Sequence, residues 1–80
     1  MDKILVIEDD IDIRNILKIY LEGESYEVLE AANGAEAMEQ LDKQPDLVIL
    51  DLMLPDVNGL SICKSIRKKF NYPVIMITAK

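Results

Sequence analysis

VILDLMLPDVNG, residues 48–59, opens as a buried strand and then delivers a carboxylate. Val48, Ile49 and Leu50 form the kind of branched apolar run expected of a strand covered on both faces. Asp51 stands at its tip, and Leu54-Pro55-Asp56 turns the chain away behind it. An ionised carboxylate at the end of a core strand is costly unless something binds it. The rest of the chain indicates what that partner is.

Upstream, Ile4-Leu5-Val6-Ile7 is a second such run and ends in Glu8-Asp9-Asp10. From Asp10 to about Glu22 the spacing becomes helical, with Ile13, Ile16, Leu17, Tyr20 and Leu21 on one inward stripe. Asp10 is the expected N-cap and Gly23 the stop. Tyr26 to Ala31 carries Glu27 and Glu30 among its hydrophobes and reads as an edge strand. Asn33-Gly34 leads into a second helix over Ala35 to Lys43, packed through Ala37, Met38 and Leu41 and broken by Gln44-Pro45. Leu47 to Leu50 is the third strand. Ile62, Cys63, Ile66 and Phe70 mark a third helix, ended near Asn71-Tyr72-Pro73, and Val74 to Ile77 is the fourth strand.

The order is βαβαβαβ with short links and no repeat or low-complexity stretch. Such alternation implies an α/β fold, a parallel sheet with helices on both faces. In these sheets ligands sit beyond the carboxyl ends of the strands.

Bulk properties narrow the chemistry. Eighty residues make at most one small domain, and the formal net charge of -6 argues against a nucleic-acid-binding face. The single cysteine, Cys63, excludes an internal disulfide and suits a reducing compartment. The absence of histidine removes Ser-His-Asp and Cys-His catalysis, and His-ligated zinc with them. Apolar runs of at most four residues cannot span a bilayer, and no signal peptide precedes them. The expectation is a cytoplasmic protein with no membrane contact.

Parallel strands aim their carboxyl ends at one edge, so Glu8 and Asp9, Asp51 and Thr78 converge there although they are distant in sequence. Two carboxylates about 5 Å apart repel by roughly 3 kcal/mol at an effective dielectric of about 20. Either one keeps its proton or a cation neutralises them. Oxygen-only ligands favour a hard ion, Mg²⁺ or Mn²⁺, partly hydrated so that a phosphate can join it. Glu8 to Asp10 alone would read as acids at a helix start, and Asp51 alone as a turn residue. Their pairing on neighbouring strands is what points to a site.

ILVIEDD, LVILDLMLPDVNG and PVIMITA together resemble the three signatures of response-regulator receiver domains of bacterial two-component signalling, in order and spacing along the whole chain. That resemblance implies the flavodoxin-like doubly wound parallel sheet of the receiver fold, here its first four strands and three helices, with residues 1–80 an incomplete receiver domain. It makes Asp51 the phosphoacceptor and Glu8 and Asp9 the acidic pair that holds Mg²⁺. Met53 matches the position that ligates the metal through its backbone carbonyl, and Thr78 the switch hydroxyl. Gly59 matches a family glycine in the loop after the acceptor strand, where a side chain would crowd the turn. The implied partner is a sensor histidine kinase, and the implied role is to catalyse phosphotransfer onto Asp51 itself, without turnover. Met53 also resembles receivers attached to winged-helix DNA-binding output domains.

The family fold adds a fifth strand, two helices, a phosphoryl-pairing lysine and an aromatic switch residue, all beyond Lys80. The fourth strand is therefore expected to be an uncovered apolar edge through which two chains self-associate. On the first helix Ile11 is expected opposite the inward stripe, with Arg14, Asn15 and Lys18 around it, as the docking face for the kinase. Two rival functions have weaker support. A nucleotide enzyme on this fold would carry a G-x-G-x-x-G or G-x-x-x-x-G-K-[ST] loop, and none follows any strand. A pseudo-receiver limited to protein contacts would usually have lost the acceptor or the acidic pair.

Overall fold

The computed structural model describes residues 2–52, 54–70 and 73–77. They form seven elements in the expected order: β1 (Lys3–Ile7), α1 (Ile11–Gly23), β2 (Glu27–Ala31), α2 (Gly34–Leu41), β3 (Leu47–Asp51), α3 (Gly59–Lys69) and β4 (Val74–Ile77). All strand pairs are parallel, in the order β2-β1-β3-β4. Residues 26–31 were expected to form an edge strand, and β2 lies at one edge of the sheet. β4 lies at the other among the described residues, with Ile75 and Met76 exposed.

Alternation along the strands sorts side chains between two faces. Leu5 and Ile7 on β1, Ala31 on β2, and Val48 and Leu50 on β3 join Ala37 and Leu41 of α2 and Ile62 and Ile66 of α3 in one buried core. Cys63 and Phe70 pack against it, as their helical spacing predicts. Met38 does not, and is exposed at the rim of α2. Ile4 and Val6, of the opposite parity on β1, are also buried. They lie on the face covered by α1, which packs on β1 and β2.

α1 departs most from the expected pattern. None of its residues is fully buried, and two of the expected inward residues, Ile16 and Tyr20, are 67% and 68% exposed. Of the expected stripe, only Ile13, Leu17 and Leu21 are partly covered, and Arg14 and Lys18 are partly covered beside them. The inward arc is rotated so that Arg14 takes part in it. Apolar residues stand at seven of the eleven positions from 11 to 21, so periodicity alone leaves the packed arc ambiguous.

The helix ends are set by polar caps. Asp10 Oδ1 accepts from the N–H groups of Asp12 and Ile13 at 2.9 and 3.2 Å. Asn33 caps α2 through Glu36 N–H, and Asn58 caps α3 through Leu60 N–H. Gly23 closes α1 as expected but is not in a left-handed conformation. That geometry falls to Ser25, at φ 71°.

Candidate functional site at the carboxyl edge of the sheet

The β1–β3 register assembles the site. Ile7 pairs with Leu50, which brings Glu8 and Asp51, one residue further along each chain, side by side at the carboxyl edge. Both are buried, each only 1% exposed, while Asp9 faces solvent. One carboxylate oxygen from each of Glu8, Asp9 and Asp51 lies within 4.8 Å of the others. The three carboxylates expected to converge do so.

The surroundings of Glu8 resemble a cation site more than a satisfied core. Its Oε2 accepts from the Asp10 N–H at 3.1 Å. Its Oε1 is buried with no hydrogen-bond partner among the described residues. Burial pushes the Glu8 carboxyl from its ordinary 4.5 up to about 7. The Asp10 amide pulls it back, whereas Asp51 and Asp9 push it further up. A buried carboxylate with an orphaned oxygen, clustered with two more carboxylates, fits a hard divalent cation, which would supply the missing positive partner.

The backbone behind the carboxylates is tightly held. Glu8 N–H donates to Ala31 O at 3.0 Å, and Leu52 N–H to Ile77 O at 3.1 Å. Gly59 N–H donates to Leu52 O at 3.2 Å, and a Cβ on Gly59 would sit 2.5 Å from Leu52 Cα and 2.7 Å from Asp51 O. A side chain there would push against the backbone that carries Asp51, so the expected crowding is real. The far end of the same loop is latched to α2. Asp56 Oδ1 accepts from Gly34 N–H at 2.8 Å and Oδ2 from Ala35 N–H at 3.2 Å. These bonds, led by that from Gly34, hold the Asp56 carboxyl below its ordinary range. Sequence reading treated Asp56 only as a turn residue, because its partners lie over twenty positions away.

The expected docking quartet on α1 divides. Ile11, 52% exposed, and Asn15 face solvent. Arg14 instead turns inward, its side chain 13% exposed, with Nη1 donating to Glu8 O at 2.7 Å and Nε to Glu30 Oε1 at 3.1 Å. Lys18 Nζ lies 3.2 Å from Glu30 Oε2. Burial pushes the Glu30 carboxyl up, but the two cations outweigh it and hold it below its ordinary value. Glu30 is thus the fastening point of α1 rather than a solvated edge residue. Met53 and Thr78 lie outside the described residues.

The model of the response regulator receiver domain matches residues 4–80. The chain belongs to this family. Among receiver-bearing proteins it is similar to the transcriptional regulatory protein ResD of Bacillus subtilis, 48% identical over 79 residues, covering 98% of this chain and 33% of ResD. It is also similar to the regulatory protein VanR of Enterococcus faecium, 46% identical over 80 residues, covering 99% of this chain and 35% of VanR. The chain therefore spans about a third of the length of these relatives. Among solved structures, the response regulator TrrA of Thermotoga maritima in complex with Mg²⁺ and BeF matches at 41% identity and a TM-score of 0.92. That match covers the whole of this chain and 71% of TrrA, which has also been solved in complex with the histidine kinase ThkA. The receiver fold expected from the signatures is the fold observed, and no helix among the described residues is long and apolar enough to cross a membrane.

Proposed function

We propose that this receiver accepts a phosphoryl group on Asp51 from a sensor histidine kinase, with Mg²⁺ held by Glu8, Asp9 and Asp51. The observation that carries this reading is the buried Glu8–Asp51 pair with its orphaned Glu8 oxygen. An Asp51 carboxylate oxygen attacks phosphorus, the P–N bond of the donor phosphohistidine breaks, and the imidazole nitrogen takes up a proton. Bound Mg²⁺ supplies screening of the charge that gathers around the transferred group. β3 contributes aim, since Asp51 is its last residue and Gly59 closes the loop directly against Leu52. Met53, through its carbonyl, and Thr78, as the switch hydroxyl, complete the reading on sequence grounds. Mn²⁺ is accepted in place of Mg²⁺ on the same all-oxygen ligand set. No turnover enzyme is implied.

The exposed Ile11 and Asn15, beside the acidic edge at the start of α1, form the kinase-facing surface of this reading, with Arg14 and Lys18 behind them. A cytoplasmic location and an attached output domain controlling transcription complete the reading, the latter supported by the name of ResD, a transcriptional regulatory protein.

The test is phosphoryl incorporation from a small phosphodonor with and without Mg²⁺, in the wild-type chain and in Asp51→Asn. Metal-dependent labelling that vanishes in the variant is expected. Equal labelling of both proteins would overturn the assignment of Asp51.

A further inference from the structure

Arg14 occupies a position that neither the family match nor the acidic edge explains. Resting on the reading of that edge as a Mg²⁺ site, we propose that Arg14 is a positioning residue, which fixes the Glu8–Asp10 segment so that its carboxylates stand ready for the cation.

The geometry joins three elements through one guanidinium. Glu8 is the first residue past β1, where the β1–β2 ladder ends. Its N–H is held by Ala31 O at the end of β2, and its carbonyl by Arg14 Nη1 at 2.7 Å. Arg14 is aimed in turn by Glu30 Oε1, on the β2 residue that pairs with Val6 of β1, and Lys18 holds the other oxygen of that carboxylate. Asp10 O accepts from the Arg14 N–H at 2.9 Å, so the same residue grips the segment by its main chain as well. Glu8 therefore has both backbone polar groups and one carboxylate oxygen committed within the protein, and Oε1 remains buried without a hydrogen-bond partner among the described residues.

The fork matters as well as the charge. Nε and Nη1 reach two acceptors in different directions from one rigid plane. An ammonium on a flexible stem keeps the charge and loses that constraint. With the Glu8 carbonyl released, the peptide planes between β1 and α1 are freer to rotate, and binding a cation must then re-order them. A cation kept for docking a partner would instead present its guanidinium to solvent, and Arg14 is largely covered.

Arg14→Lys and Arg14→Gln in the full chain test this, with amide hydrogen exchange of the metal-free proteins, Mg²⁺ titration and thermal melting measured together. In Arg14→Lys, exchange at the Asp10 amide should accelerate and Mg²⁺ affinity should fall roughly tenfold, the lower end for outer partners of a metal ligand. The melting transition should stay close to wild type. Arg14→Gln should show the same two losses. Wild-type exchange and Mg²⁺ affinity in Arg14→Lys would overturn the proposal, as would an affinity loss that merely follows global unfolding. If exchange accelerates while the wild-type chain itself binds no Mg²⁺, positioning by Arg14 stands and the metal reading of the edge falls.

Discussion

The two faces of the sheet are fastened by different forces. On the α2–α3 face, nine apolar residues from five elements close into a buried core. On the other, Ile4 and Val6 are buried, yet α1 above them contributes no buried side chain and leaves Ile16, Ile19 and Tyr20 in solvent. Beside the partly covered Ile13, Leu17 and Leu21, polar ties hold α1 down: Arg14 and Lys18 on Glu30, and Arg14 on the Glu8 carbonyl. The acidic edge lies where these two regimes meet. Asp51 rides on a strand set by apolar packing, while Glu8 is held through the charged ties of α1. Packing fixes the acceptor, and charged ties fix its acidic neighbour.

The largest break in the comparison comes from cutting large side chains on the two faces. Leu41→Ala, at a fully buried position, should cost about 2–5 kcal/mol in denaturant unfolding. Tyr20→Ala, on the exposed arc of α1, should change stability by less than about 0.5 kcal/mol. Comparable losses at both positions would mean that α1 is packed far more closely than its exposure indicates.

Where the regimes meet, stability should depend on pH in an unusual direction. Folded Glu8 holds its proton to about 7, whereas in the unfolded chain it ionises near 4.5. The unfolded chain therefore binds fewer protons, and the metal-free protein should lose stability as pH rises from about 4.5 to about 7, by at most about 3 kcal/mol. Glu30, held low, contributes stability that is present above its unfolded value and lost only at more acidic pH, so it does not mask this window. Glu8→Gln should flatten the slope in chemical denaturation series across that range. A slope unchanged in the variant would place the titration elsewhere.

The smallest effect concerns the ties themselves. Glu30→Gln should cost up to about 1 kcal/mol at low ionic strength and less in high salt, because its partners are partly exposed ion pairs. A loss independent of salt would show that Glu30 acts through packing, and would narrow the contrast between the faces.

Much of this was legible in the chain because strand and helix periods are local. Residues 4–7, 47–50 and 74–77 announce strands by composition, and parallel topology then carries Glu8, Asp9 and Asp51 to one edge whatever the details of packing. The rotation of α1 was not legible, since apolar side chains surround most of that helix and only the sheet beneath decides which arc is covered. The long-range partners of Arg14 and Asp56 were not legible for a related reason. Their acceptors and donors, Glu8 O, Glu30 and the Gly34 and Ala35 amides, are fixed by strand register and loop path, and no local pattern records them. The caps at Asp10, Asn33 and Asn58, by contrast, lie beside the helices they serve.

The central claim is that the buried Glu8–Asp51 pair, with its orphaned Glu8 oxygen, is built for a divalent cation. Calorimetric titration of Mg²⁺ into the metal-free chain at about pH 7, in two buffers of different ionisation enthalpy, tests it most directly. Because burial raises the Glu8 carboxyl to about 7, binding should release protons, and Glu8→Gln should diminish the release. Binding with no proton release, or no binding at all by a folded wild-type chain, would contradict the account.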